Sequence, residues 1–280
     1  MDLSEINLNQ LIKASIDAGE AIMKVYETDF DVEHKSDASP LTLADTNSHN
    51  VIVSALKKHY HHIPILSEEG QDIPYEERKD WEMFWLVDPL DGTKEFVKRN
   101  GEFTVNIALI HNQKPVIGVI YAPVLDTLYI GQVGLGAYKI ENCKAVWNNQ
   151  MPITQIGEQL PNQTTDIFTV VASRSHMSEE TATFIREAEA KHGEVVNLSA
   201  GSSIKLCLVA EGKADAYPRF APTMEWDTAA GQAIVEAVGG TVTIAEGEEK
   251  ETKPLLYNKE NLRNPWFLVV GKLHKISEKG

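Results

Sequence analysis

The sequence has few cysteines, only Cys143 and Cys207. Neither stands in a CxxC or a Cys/His cluster, so a disulfide framework and a zinc centre both lack support. With no sign of an oxidising compartment, the sequons at Asn162 and Asn197 read as chance. Positive charge is also scarce: 26 Lys and Arg against 41 Asp and Glu leave a formal net charge of −15. That argues against a nucleic-acid groove, which needs clustered Lys and Arg. Long apolar runs are missing too, so no transmembrane segment is expected, and residues 1–5 lack the basic-then-apolar pattern of a signal peptide. The expected location is the cytoplasm, with a peripheral position at the inner membrane face left open. The acidity sets a problem for any phosphorylated substrate, which needs a local reversal of sign from divalent cations or a few placed Lys and Arg.

What is present is enough for a sizeable core, since 280 residues with 42% hydrophobic content allow one large domain or two modest ones. Leu8, Leu11, Ile12, Ile16, Ile22, Met23 and Tyr26 recur at helical spacing, and a second helix is predicted over 44–60 with Val51, Ile52, Ala55 and Leu56 inward. Strands are predicted over 63–66, 83–87, 103–110 and 116–121. Helices first and sheet next imply layers, not a Rossmann alternation. Residues 141–166 are polar and weakly patterned and read as a crossing between lobes. The expected division is an α+β lobe over 1–150 and an α/β lobe over 151–280. The second lobe alternates strands over 167–172, 195–197 and 214–217 with helices over 179–191, 202–211 and 227–238, a sheet covered by helices. The charged run 246–253 reads as a solvated turn.

The chemistry concentrates where apolar strands end in acids. Phe84-Trp85-Leu86-Val87 runs into Asp88-Pro89-Leu90-Asp91-Gly92-Thr93, where Pro89 fixes one dihedral and Gly92 relieves crowding so that both carboxylates aim one way. The start of the short helix after Gly92 is a candidate phosphate cradle. Ile65-Leu66-Ser67-Glu68-Glu69 ends in acids as well, and Trp226-Asp227-Thr228-Ala229-Ala230-Gly231 places Asp227 at the head of a small-residue helix. Asp45 follows the turn at Pro40. Singly, each acid has a plain alternative as a helix cap or surface residue. Together, oxygen donors without a nearby His or Cys suit a hard cation, and Mg²⁺ is the usual one beside phosphates.

These segments, in order across nearly the whole chain, resemble the inositol monophosphatase superfamily. The stretch from Lys94-Glu95-Phe96 to Glu102-Phe103, with Ser173-Arg174-Ser175-His176 and Gly201-Ser202-Ser203-Ile204-Lys205, is similar to its CysQ-type 3′(2′),5′-bisphosphate nucleotidases. The resemblance implies an αβαβα sandwich, an α/β fold in layers. It implies that Glu68, Asp88, the Leu90 carbonyl, Asp91 and Asp227 hold two Mg²⁺ ions, with a third, weaker one near Glu68. A metal-bound water would attack phosphorus, oriented by Glu68 and Thr93, with Asp45 accepting the Thr93 proton. The implied substrate is adenosine 3′,5′-bisphosphate. Asp91, Gly92, Thr93, His176, Ser202, Lys205, Arg219 and Asp227 would contact it, and removal of its 3′-phosphate would leave AMP, in sulfur metabolism. The alternatives are an inositol monophosphatase and, in another class, a catalytically silent nucleotide or metal sensor, against which Thr93 and Asp45 speak. Lithium sensitivity is a further implication. The implied partner is a small phosphorylated nucleotide, and the sequence does not distinguish a monomer from a homodimer.

Overall fold

The computed structural model describes residues 3–28, 40–148, 150–173, 178–246 and 253–272. After a 3-10 turn at Leu3–Glu5, α1 (Leu8–Tyr26) starts at Asn7, whose side chain accepts the Asn9 N–H and caps the helix. Its buried Leu11, Ile12, Ile16 and Ile22 carry the predicted stripe. The second helix, α2 (Pro40–His59), begins earlier than predicted. Proline is well suited to a first helical position, where its missing N–H is not needed. The Pro40 turn is therefore the first turn of the helix, and Asp45 lies in the second.

The chain then builds a seven-stranded sheet. Its elements are β1 (Ile65–Ser67), α3 (Tyr75–Arg78), β2 (Met83–Asp91), α4 (Thr93–Val97), β3 (Thr104–His111), β4 (Lys114–Ala122), β5 (Thr127–Gln132), β6 (Gly136–Glu141), α5 (Cys143–Val146), α6 (Ile153–Ile156) and β7 (Glu158–Gln159). The strands lie in sequence order, with β1 parallel to β2 and every other neighbour antiparallel. The stretch predicted to be a featureless crossing holds α5, α6 and β7, elements too short to show a period. A second, five-stranded sheet has the order β11-β12-β10-β8-β9. It is formed with β8 (Phe168–Ser173), α7 (Glu179–His192), β9 (Val195–Ala200), α8 (Ile204–Glu211), β10 (Ala216–Arg219), α9 (Glu225–Ala237), β11 (Thr241–Ile244) and β12 (Phe267–Val270).

The layers follow from which face each element buries. Strands β2 and β3 are apolar on both sides. Trp85, Val87, Ile107 and Leu109 join the core beneath α1 and α2, whereas Phe84, Leu86, Ala108 and Ile110 join the core shared with α8 and α9. With α7 packed on the second sheet, the order is α1/α2, first sheet, α8/α9, second sheet, α7, an αβαβα sandwich. Helix α9 lies very close to the first sheet: a Cβ on Gly118 of β4 would fall 2.1 Å from the Ala230 carbonyl oxygen. The run Ala229-Ala230-Gly231 thus serves close packing between layers.

Candidate active site

The acids converge because of strand register. Asp88 lies opposite Asn106 on β3, and the alternation along β2 turns it to the side facing α8 and α9. Three residues on, Asp91 would face the opposite side of a regular strand. The register shifts between them, since Asp91 pairs with Thr104, so three steps on β2 match two on β3. This bulge brings Asp91 back to the face of Asp88. The Leu90 N–H donates to Asp88 Oδ1 at 3.0 Å, and Ser48 of α2 donates to the Pro89 carbonyl at 2.7 Å, which fixes the turn from the other side of the sheet. Gly92 then takes a left-handed φ of 97°, which starts α4 at Thr93.

Neighbouring elements supply the rest. Ser67 ends β1 level with Val87, and the Glu68 N–H donates to the Val87 carbonyl at 3.1 Å, so Glu68 stands beside Asp88. From the opposite side, Asp227 is the third residue of α9, because the helix starts at Glu225 and not at Asp227 as predicted. Its carboxylate accepts the Met224 N–H at 2.8 Å. Helix α8 likewise starts at Ile204, later than predicted, because Ser202 takes a φ of 41°.

One cavity of about 260 Å³ is lined by Glu68, Asp88, Leu90, Asp91, Gly92, Thr93, Ser202, Lys205, Arg219 and Asp227, with Glu95, Tyr217 and Thr223 among the others. Its electrostatics are those of crowded carboxylates. Desolvation raises Glu68 to about 7, opposed by a hydrogen bond with Asp88 and increased by the charges of Asp91 and Glu69. Asp227 is pushed up to about 7 by burial and by Asp91. Burial and the surrounding acids lift Asp88 well above the usual range, and burial raises Asp91 against the pull of Ser203 and Lys205. The site favours added positive charge. Among the described residues no group of three or more Asp, Glu, His or Cys side chains is drawn together closely enough to hold a metal ion by itself. An all-oxygen set spread around an open cavity still fits Mg²⁺, which keeps several waters and needs only one or two carboxylates beside a phosphate.

Other predicted residues are placed differently. Asp45 is not in the cavity lining and makes no hydrogen bond to Thr93; burial and the nearby Glu69 and Glu68 raise it to about 8. The Lys205 ammonium is buried, donating to the carbonyls of Ala200 at 3.3 Å and Ser202 at 2.6 Å, and desolvation lowers it to about 8. Arg219 donates from one terminal nitrogen to the Pro222 carbonyl at 3.2 Å, while its Nε and the Ser202 hydroxyl are buried without partners. His176 lies outside the described residues.

Sequence reasoning missed Ser203 and Asn106. Ser203 Oγ donates to Asp91 Oδ2 at 2.6 Å and stands 2.8 Å from the Asp227 carbonyl oxygen, and Asn106 Nδ2 donates to it at 2.9 Å. The available signal was one Asn inside the otherwise apolar Val105–Ile110 stretch.

Residues 4–270 match the model of the inositol monophosphatase family. The 3′(2′),5′-bisphosphate nucleotidase CysQ of Shigella flexneri is 46% identical over 266 residues, covering 94% of this chain and 98% of that protein. The nucleotidase of the same name from Haemophilus influenzae is 34% identical over 273 residues, covering 97% and 95%. Among solved structures, CysQ from Bacteroides thetaiotaomicron is 49% identical with a TM-score of 0.88, covering 98% of this chain and all of that one. An inositol monophosphatase from Zymomonas mobilis shares the fold, with a TM-score of 0.70 at 21% identity and coverage of 94% and 91%.

Proposed function

The chain belongs to the inositol monophosphatase family, and from that premise we propose that it is a Mg²⁺-dependent 3′(2′),5′-bisphosphate nucleotidase. It would hydrolyse the 3′-phosphate of adenosine 3′,5′-bisphosphate, giving AMP and inorganic phosphate. The observation that carries this reading is one cavity whose lining brings Glu68, Asp88, Asp91 and Asp227 together with Ser202, Lys205 and Arg219. The relatives named above support the nucleotide over an inositol phosphate. A cytoplasmic location belongs to the same reading.

In this proposal Glu68, Asp88, the Leu90 carbonyl and Asp91 from the lobe over 1–150, with Asp227 from the lobe over 151–280, would hold two Mg²⁺ ions, and a third would bind near Glu68. Bound magnesium supplies positive charge to the phosphate and leaving oxygens and makes water more acidic. The protein's own groups do the rest. Glu68 and Thr93, which line the same cavity, would orient the attacking water, and Thr93 would take its proton while passing its own hydroxyl proton to Asp45. Asp45 makes no hydrogen bond to Thr93 in the structure, so this relay closes by rearrangement on substrate binding, as catalytic hydrogen bonds commonly do.

The second phosphate needs its own cation. Arg219 lines the cavity, and its guanidinium is the candidate for a charge-assisted contact. Lys205 spends two donors on backbone carbonyls, which leaves it one for a phosphate oxygen. Phosphate release from adenosine 3′,5′-bisphosphate beside inositol 1-phosphate tests the reading; faster turnover of the inositol ester would replace it.

A further inference from the structure

Ser203 is the N-cap residue of α8, a position where a serine hydroxyl ordinarily accepts one of the helix's own first N–H groups. Here it makes no such bond. The side chain, 2% exposed, turns instead to Asp91 Oδ2 at 2.6 Å, with the Asp227 carbonyl oxygen at 2.8 Å as a competing acceptor. A hydroxyl has one proton to give. Its lone pairs are addressed by Asn106 Nδ2 at 2.9 Å, from a side chain 1% exposed, so the proton is steered toward the Asp91 carboxylate and the Asp227 backbone carbonyl. Three elements meet at this atom: Asn106 comes from β3, Asp91 from the bulged end of β2, and Asp227 from the first turn of α9.

We propose that Ser203 is a positioning residue that aims the Asp91 carboxylate into the cavity and registers it against α9, with Asn106 setting the direction of its hydroxyl. The inference rests on the reading of Asp91 as a ligand of Mg²⁺ and the substrate phosphate. Holding Oδ2 fixes the rotamer in which the Asp91 carboxylate lines the cavity. Because the bulge, and not a regular strand, delivers Asp91 to this face, the aim of the side chain needs such an outside constraint. Partners that hold a metal-ligating carboxylate commonly account for 10- to 100-fold in metal affinity or activity.

The test measures Mg²⁺ binding by calorimetry and by the Mg²⁺-induced shift in melting temperature, with kcat and KM determined alongside, in the full chain. Ser203→Ala removes the hydroxyl; Ser203→Cys keeps a side chain of similar size with a weak donor; Ser203→Thr restores the hydroxyl; Asp91→Asn removes the ligand charge. We expect Ser203→Ala and Ser203→Cys to weaken Mg²⁺ binding about 10- to 100-fold and to lower kcat more than they raise KM, and Ser203→Thr to recover most of both. If Ser203→Ala does not fold, the cysteine variant gives the measurement. Mg²⁺ affinity equal to wild type in a folded Ser203→Ala or Ser203→Cys protein, while Asp91→Asn loses it, overturns the positioning role alone. If Asp91→Asn binds Mg²⁺ as wild type does, the ligand reading beneath it fails instead.

Discussion

Replacing Gly118 by alanine tests whether the seating of α9 sets the site. The added Cβ would lie 2.1 Å from the Ala230 carbonyl oxygen, 2.8 Å from its carbon and 2.9 Å from its Cα, whereas ordinary contact begins near 3.4 Å. These are backbone atoms, so no side-chain rotation relieves the clash, and α9 or β4 must retreat by more than 1 Å. Overpacking of a core costs about 1–3 kcal/mol. For a chain of this size each kilocalorie lowers the melting temperature by roughly 2–4 °C. The helix that moves carries Asp227 three residues before Ala230. A displacement of about 1 Å at a catalytic group is worth on the order of 10²-fold in rate. Gly118→Ala should therefore melt several degrees lower and, at saturating Mg²⁺ and well below its transition, turn over about a hundredfold more slowly. An unchanged melting temperature would show that the layers are not packed as described, and a lowered one with full turnover would refute the dependence of Asp227 on the seating of α9.

Several other outcomes follow from the same geometry. In the metal-free protein, carboxyls with raised folded-state values are most compatible with folding when protonated. Their contribution is complete below their ordinary values near 4 and is lost as pH rises through about 7 for Glu68 and Asp227 and about 8 for Asp45. The melting temperature in EDTA should accordingly fall between pH 5 and 8, and the stabilisation by millimolar Mg²⁺ should grow over that range; a Mg²⁺ shift that shrinks toward pH 8 contradicts this. Thr93→Ala should lower kcat about 10²- to 10⁴-fold with calorimetric Mg²⁺ affinity retained, and normal turnover removes Thr93 from the mechanism. Arg219→Ala should lose a charge-assisted phosphate contact of about 1.5–3 kcal/mol, roughly ten- to a hundredfold in kcat/KM for adenosine 3′,5′-bisphosphate while sparing inositol 1-phosphate; an equal fall for both substrates refutes the assignment. Glu225, fully buried, accepts from Lys259 Nζ at 2.6 Å, Lys259 N at 2.9 Å and Asn258 N at 2.7 Å. Its removal should cost about 3–5 kcal/mol in chemical denaturation, and a loss below 1 kcal/mol shows that the network does not anchor α9.

Much of the architecture was legible because buried strands and amphipathic helices leave strong periods. The stripe of α1 and the doubly apolar Phe84–Val87 run show this, as do the regular alternations after residue 166. The hairpin of β5 and β6 escaped because its glycines, Gly131 and Gly136, interrupt the apolar pattern, and Gly131 does so to admit α9: a Cβ there would lie 2.6 Å from the Ile234 Cα. For the site, the strand-end acids could be picked out by type and spacing, and the structure lines one cavity with them. What no pattern revealed is how Asp88 and Asp91 share a face, since that depends on a single bulge relative to β3. The roles of Ser203 and Asn106 were not legible for a similar reason. They lie 97 positions apart and acquire meaning only when β3 and α8 meet. Lys205 shows the opposite limit, for its charge was legible but its burial against two carbonyls was not.

The most direct test of the central claim is phosphate release by the purified protein from adenosine 3′,5′-bisphosphate, with millimolar Mg²⁺ and with EDTA, following both nucleotide products chromatographically. The account predicts Mg²⁺-dependent release of one phosphate per nucleotide with AMP as the product, and no release in EDTA. Adenosine 3′-phosphate as the product, undiminished turnover in EDTA, or no turnover with Mg²⁺ present would contradict it.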